Sequence, residues 1–425
     1  MASRHPQPRS GAETQIPLSV PHLGGREWDY VKECLDTNFV SAVGPFVDRF
    51  EQQIAAHLEA RCAVATVNGT AALHIALLVA GVRPDDEVLV SAMTFIAPAN
   101  AIRYVGAWPV FIDAEPHYWQ MDPAGVADFL ESRCERRGGE VCDKVTGRRV
   151  SAVLPVHILG HPVDLDPILD LARKYNLLVI EDATEGLGAE YKGRKVGHLA
   201  DIACLSFNGN KIITSGGGGM LVTDNAHWAA RAKHLTTQAK DDPVEYIHDS
   251  IGYNYRLVNV LAAVGCAQLE QLDACVAAKR RIAAAYNDAF AALPGLTPLR
   301  QAPWAGSTFW LYTILVDEPT FGMDSRALLR RLNDSGIQSR PLWQPLHMST
   351  PHARSQAGGC RVAEDLWARA LSLPCSVGLT PADQQRVVKT VTASQRAVAR
   401  HRRPARGAGE GSVRNSLVGC TDHFA

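Results

Sequence analysis

Seven short, nearly uninterrupted apolar runs recur through the first half of the chain, and they restrict its fold more than any other feature. They are CAVATV (62–67), EVLVS (87–91), PVFID (109–113), SAVLPV (151–156), LLVIED (177–182), IACLSF (202–207) and GMLVT (219–223). A strand that is apolar at successive positions has no face to give to water, which is the pattern of mainly parallel strands covered on both sides. Helical patterns at 69–80, 96–105, 123–132, 164–175 and 226–235 fall between the runs, where crossover connections are needed. The alternation predicts an α/β fold: a large domain with a mainly parallel seven-stranded sheet wrapped by helices.

A long Ala- and Leu-rich helical pattern follows from Asn259 through Leu293 and stops at Pro294-Gly295, which predicts a connecting helix. Beyond it, strand-like TFWLYTILV (308–316), helical RALLRRLND (326–334) and a further helix after Pro381 predict a smaller α+β C-terminal domain. The Pro-rich stretch 341–351 is expected to supply loops and no core. The ends of the chain are polar and without apolar periodicity, a signature of disorder. The expected division is an arm at 1–15, a large domain at 16–258, a connecting helix at 259–295, a small domain at 296–398 and a tail at 399–425.

Composition removes several classes of function. With 43 basic and 44 acidic residues the net charge is −1, so no overall field draws the chain to nucleic acid or an anionic membrane. No run approaches the roughly 20 apolar residues of a membrane span, and the first fifteen residues lack a signal peptide's apolar region; a cytoplasmic location is expected. Ten cysteines are scattered without a C-x-x-C pair and read as reduced core thiols. His157 and His161 are spaced like metal ligands, but Gly160 and Pro162 break any helix that would align them, and no metal is expected. His157, at a strand end, reads either as a substrate-pocket residue or as a structural histidine. Gly186-Leu187-Gly188 opens like a dinucleotide fingerprint but has Tyr at 191. The basic run 396–406 reads as a solvated tail.

The most informative segment runs from Leu177 to Lys211. Glu181 and Asp182 end one predicted strand, at the carboxyl edge where open α/β sheets bind ligands. The next strand leads into Asn208-Gly209-Asn210-Lys211 and then a four-glycine run at 216–219, where the absence of side chains permits close approach to something bulky. A deprotonated lysine in a half-buried site forms an imine with an aldehyde, and a carboxylate at a neighbouring strand end can keep a pyridine nitrogen protonated. Lys211 and Asp182 suit these tasks. On local chemistry alone, a surface lysine and a helix-capping acid account for them as well.

Other segments add parts. Asn68-Gly69-Thr70-Ala71 lies at a strand-to-helix turn, where free N–H groups and a hydroxyl can hold a phosphate. Ser206 precedes Lys211 by five residues at the same strand end, and Phe95 in SAMTFIAPANA could stack on a flat ring.

Taken together, NGTAALHIAL (68–77), T-F-x-A-x-x-N-A (94–101), VIEDATEGLGAEYKGRKVG (179–197), DIACLSFNGNKIITSGGGGMLVT (201–223) and GYNYRLVNVLAAVGCAQLEQL (252–272) resemble the DegT/StrS-type sugar aminotransferases, pyridoxal-phosphate enzymes of fold type I. The resemblance spans roughly residues 16–395. It implies that Lys211 binds pyridoxal 5'-phosphate as an imine and moves the reacting proton, that Asp182 pairs with the pyridine nitrogen, and that Phe95 stacks on the ring. Gly69, Thr70, Ala71 and Ser206 would bind the phosphate. Asn254 would reach the cofactor of the neighbouring subunit in a homodimer with shared active sites. Glu185 stands beside the cofactor where much of the family carries Gln.

Lysine at 211, where related dehydratases have histidine, implies amination. An amino acid, L-glutamate by family habit, would load the cofactor, which would then aminate a nucleotide-linked keto sugar in a ping-pong cycle, as in surface-polysaccharide or nonulosonic-acid biosynthesis. The opening segment and SFNGNKIITSGGGG resemble the branch acting on UDP-linked 4-keto-6-deoxy-N-acetyl sugars (legionaminic and bacillosamine-type routes). A GDP-linked acceptor of the perosamine type is the alternative, and a non-catalytic regulatory member the alternative from another class.

Overall fold

The computed structural model describes residues 15–242 and 244–401. Residues 1–14 of the expected arm, 402–425 of the expected tail, the end of the basic run and Cys420 lie outside the described residues.

All seven apolar runs form strands of one sheet: β1 (Cys62–Thr66), β2 (Glu87–Ser91), β3 (Trp108–Ile112), β4 (Val150–Leu154), β5 (Leu178–Asp182), β6 (Ile202–Ser206) and β7 (Gly219–Thr223). An eighth, β8 (Gln356–Ala357), arrives from the C-terminal region, and the order across the sheet is β1-β7-β6-β5-β4-β2-β3-β8. β7 is antiparallel to both its neighbours and every other pairing is parallel. β8 is too short to show in any periodicity. Its Gln356 side chain secures it, donating to Glu87 Oε1 at 2.9 Å and to Asp143 Oδ2 at 2.8 Å.

The two-sided apolarity of the strands has a direct structural cause. Side chains alternate across a strand, so Val88, Val90, Ile180 and Leu221 enter one core while Leu89, Val153, Val179 and Leu205 enter the other. The first core is covered by helices α3 (Gly69–Val79), α4 (Ala97–Tyr104) and α7 (Ala226–Thr236). Two helices for which the sequence reading named no element, α1 (Glu27–Asp36) and α2 (Pro45–Leu58), cover the second with α6 (Leu165–Tyr175). Between α4 and α6 lies α5 (Pro123–Asp128), shorter than the expected 123–132 because residues 129–133 continue as a π turn.

The long connecting helix is two helices, α8 (Asn259–Leu269) and α9 (Leu272–Phe290), bent by 60°. The bend follows from their duties. Ala262, Ala263 and Cys266 of α8 pack in the second core, whereas Ile282, Tyr286 and Phe290 of α9 have moved to the first. No Pro or Gly marks the break, so nothing in the pattern announced it. Among the described residues, no single helix is long and apolar enough to cross a membrane.

The C-terminal region forms a four-stranded antiparallel sheet, in the order Leu296–Pro298, Tyr312–Val316, Ala370–Leu373, Arg340–Pro341. Its helices are Ser325–Asp334, Arg361–Arg369 and Pro381–His401. The expected strand 308–316 starts only at Tyr312, because Phe309 has φ +50° and the Thr308 N–H donates to the Gly160 carbonyl. The Pro-rich stretch does enter the core: Leu342 and Leu346 are buried. The nine described cysteines are all free, and eight are buried. Burial pushes the thiols of Cys134, Cys266 and Cys360 up to about 12.

Helix α8 reaches α2 closely through Gly265, where a Cβ would lie 2.7 Å from the Phe50 ring, itself fully buried against Phe207. Intrinsic helix propensity favours Gly265→Ala by about 1 kcal/mol, but overpacking costs about 1–3 kcal/mol. Gly265→Ala is therefore expected to lower the urea midpoint, and a raised midpoint would contradict this packing.

Candidate active site

The segments that follow β1, β2, β5 and β6 bring the chemistry-bearing residues to the carboxyl edge of the sheet. At the end of β5, neighbouring carboxylates face opposite ways. Glu181 is fully buried and accepts from His157 Nε2 at 3.0 Å and from the Gly197 and Leu199 N–H groups at 2.6 and 2.8 Å. Burial alone would raise its carboxyl, but these bonds together bring it below the usual range. His157 is thus a core residue: it is fully buried, its Nδ1 accepts the Val163 N–H at 2.9 Å, and it does not line the cavity. Of its two expected readings, substrate-pocket residue or structural histidine, the contacts match the structural one and not the place at the pocket. His161 likewise spends both ring nitrogens on backbone, at Pro162 O and Ala302 N.

Asp182 and Glu185 take the other direction and line a cavity of about 250 Å³ with Lys211, Gly69, Thr70, Phe95 and Ser206. Asp182 is 2% exposed and accepts the Thr184 N–H at 3.0 Å. Burial pushes its carboxyl up, against the pull of Thr184 and of the Lys211 charge. Glu185 accepts the Leu159 N–H at 2.8 Å on one oxygen and faces Lys211 Nζ at 3.4 Å with the other. Burial raises it to about 7, the Lys211 charge opposing.

The phosphate-type turn is built by contact. Asn68 caps α3 in extended backbone, its Oδ1 accepting the Ala71 N–H at 2.8 Å. That bond occupies the Ala71 N–H, which was also expected to meet a phosphate, while Gly69 and Thr70 stand at the first helical positions, where no intrahelical partner exists. Gly69 must lack a side chain, since a Cβ there would lie 2.9 Å from Ser206 Cβ and 3.2 Å from Thr184 Cγ2. The four-glycine run serves the same turn. A Cβ on Gly219 would lie 2.5 Å from the Asn68 carbonyl, so what Gly219 approaches is the chain's own backbone.

Phe95 is 54% exposed, an aromatic ring left open at the cavity between buried Thr94 and α4. Asn254 is exposed and lies outside this cavity. Residues the sequence reading did not single out complete the lining. Thr94, Thr184, Asn208 and Asn210 stand within the quoted motifs, whereas Trp310 and Trp343 come from the strand-like run and the Pro-rich stretch of the C-terminal region, where no site residue was read.

These residues fit pyridoxal phosphate. First-turn N–H groups and a serine hydroxyl suit a phosphate, a buried carboxylate suits a ring N–H, an open aromatic suits a flat ring, and an amine suits an aldehyde.

Known proteins agree. Two relatives named GDP-perosamine synthase, from Caulobacter vibrioides and Escherichia coli O157:H7, are each 39% identical to this chain, over 88% of it and 96% of the former, and over 84% of it and 93% of the latter. The solved structure of the aminotransferase TlmJ from Streptoalloteichus hindustanus superposes with a TM-score of 0.82 at 28% identity, covering 90% of this chain and all of that one. The model of the DegT/DnrJ/EryC1/StrS aminotransferase family matches residues 21–392, and the chain belongs to that family, as a pyridoxal phosphate-dependent sugar aminotransferase.

Proposed function

We propose that this enzyme transfers an amino group from an amino acid, L-glutamate foremost, to the keto carbon of a nucleotide-linked 4-keto-6-deoxy sugar, and that the acceptor is GDP-linked, of the perosamine type. The single observation that carries the amination chemistry is the convergence of Lys211, Asp182 and Glu185 in one cavity beside the Gly69–Thr70 turn. The GDP-linked acceptor is supported by whole-chain similarity to proteins named GDP-perosamine synthase. This outweighs the motif-level resemblance to the branch acting on UDP-linked N-acetyl sugars.

In this reading Gly69, Thr70 and Ser206 hold the phosphate, Phe95 covers the ring and Asp182 keeps its nitrogen protonated. The bound cofactor supplies an electron-withdrawing ring that accepts the electron pair released when a proton leaves the amino-bearing carbon. Lys211 carries that proton. Its side chain is only 13% exposed, so bulk water does not compete for it, and Glu185 at 3.4 Å balances its charge. Asn254, exposed and outside the lining of its own cavity, serves a second copy. Trp28 and Ile251, 79% and 82% exposed, are large apolar surfaces for that copy to cover in a homodimer. The division into a large unit at 16–258, a connection at 259–295 and a small unit at 296–398, in a cytoplasmic protein, completes the proposal.

Lys211→Ala should lower kcat by at least the roughly 10²–10⁴-fold that a positioned proton carrier supplies, with the far-UV circular dichroism unchanged. Substantial residual transamination would sink the assignment. A panel of GDP- and UDP-linked keto sugars assayed with L-glutamate should give the higher kcat/KM for a GDP-linked acceptor, and a UDP-linked winner would reverse that choice.

Glu185 also makes stability depend on pH. Its folded-state pKa of about 7 lies above the ordinary carboxylate value, so its contribution is fully present below that ordinary value and is lost as pH rises through about 7. Glu185→Gln removes the loss. Without added cofactor, the urea midpoint of the variant relative to the wild type should rise between about pH 5 and pH 8. Glu87, also raised by burial to about 7, is present in both proteins and cancels. An unchanged difference would show that Glu185 does not titrate in this range.

A further inference from the structure

Lys211 is held from two sides. Glu185 faces it on one, and on the other Nζ lies 4.3 Å from the centroid of the Trp310 ring. Trp310 comes from far along the chain, just before the strand Tyr312–Val316, and is 3% exposed. Its carbonyl accepts from Cys375 Sγ at 3.5 Å, and three further contacts fix it. Its indole N–H donates to the carbonyl of Asn210, next to Lys211, at 2.7 Å. Its own carbonyl accepts from Lys279 of α9 at 2.8 Å. The third is Gly160, where a Cβ would lie 2.8 Å from the Trp310 nitrogen.

Lys279 is itself unusual. It is 3% exposed and, among the described residues, forms no ion pair with a carboxylate; its other partner is Cys375 Sγ at 3.6 Å. Taking an ammonium out of water without a counter-charge is costly, and here its strongest hydrogen bond goes to the Trp310 carbonyl. The backbone around both holders of Lys211 is strained as well. Leu159, whose N–H fixes Glu185, has φ +61°, and Phe309, adjacent to Trp310, has φ +50°. Such conformations persist in residues with side chains where surrounding contacts over-determine them, and these two segments are joined through Gly160, whose carbonyl accepts the Thr308 N–H.

We propose that Trp310 is a positioning residue for Lys211: its ring holds the amine against the cavity wall and stabilises the protonated form, and Lys279 acts through it by fixing its backbone. The proposal rests on the amination chemistry above, in which the freed lysine must take up and return a proton. An indole face attracts an ammonium more strongly than any other aromatic side chain. Glu185 and Asp182 are the charged groups that face Lys211; Asn208, Asn210 and Trp343, which line the same cavity, carry none.

The test is the reactivity of the Lys211 amine in competitive acetylation of the full-length, cofactor-free protein at one fixed pH, read by mass spectrometry of its peptide in wild type, Trp310→Phe, Trp310→Leu and Lys279→Met. Labelling should speed up about threefold in Trp310→Phe and about tenfold in Trp310→Leu, as the amine is freed from the ring face, and in the same direction in Lys279→Met. Turnover in Trp310→Leu should drop roughly tenfold as the amine loses its placement, with KM for the amino donor within about twofold. An unchanged Lys211 labelling rate in folded Trp310 variants overturns the proposal. If Trp310→Leu does not fold, the wild type and Trp310→Phe decide it. The labelling needs no turnover, so failure of the enzyme to transaminate would overturn the proposed function while the labelling still judged Trp310.

Discussion

Where β7 begins, two backbones run almost in contact. The space at Gly219 admits no side chain because the Asn68–Gly69 peptide occupies it, and the space at Gly69 admits none because Ser206 and Thr184 occupy it. This double approach pins the start of α3 against the ends of β6 and β7. Ser206 and Gly219 are register partners, so the segment carrying Lys211 is a loop closed at both ends by the same contact. The turn, the serine hydroxyl and the lysine therefore reach one wall together. A single methyl on Gly219 would displace all of them, since the opposing atoms are the main chain of Asn68 and Gly69 and cannot rotate away.

The electrostatics of the cavity follow from burial. Two carboxylates, Asp182 and Glu185, are withdrawn from water around one ammonium. Both are pushed up in pKa, which means that the fold alone does not fully compensate them. Glu181, one residue from Asp182, shows the contrast: with two N–H donors and a histidine its carboxylate is satisfied, and it takes no part in the cavity. Uncompensated charge is concentrated where a ring N–H can enter, and compensated charge lies on the face that only has to pack.

Much of this was legible in the sequence, for reasons that also explain what was not. The seven strands were visible because two-sided burial leaves a continuous apolar run, and Lys211, Asp182, Ser206 and Gly69 because each stands at a strand end inside a motif. The bend between α8 and α9 was invisible, being set by which core each helix joins rather than by a breaker residue. His157 could not be placed because a strand-end histidine faces the ligand or the core according to the side on which its partner lies, and Glu181 lies on the core side. Trp310 and Trp343 reach the cavity through tertiary folding of a distant segment, which no local spacing records.

The buried thiols give the fold a set of internal clocks. Cys134 is on a hairpin strand, Cys266 on α8 and Cys360 at the start of the helix Arg361–Arg369, three separate parts of the molecule. Each is held protonated by burial far above neutral pH, and the thiolate is the form that alkylating reagents attack. Reagent therefore modifies each site only when its own surroundings open, and the three modification rates report the local opening of those parts independently, through a chemistry the chain already carries.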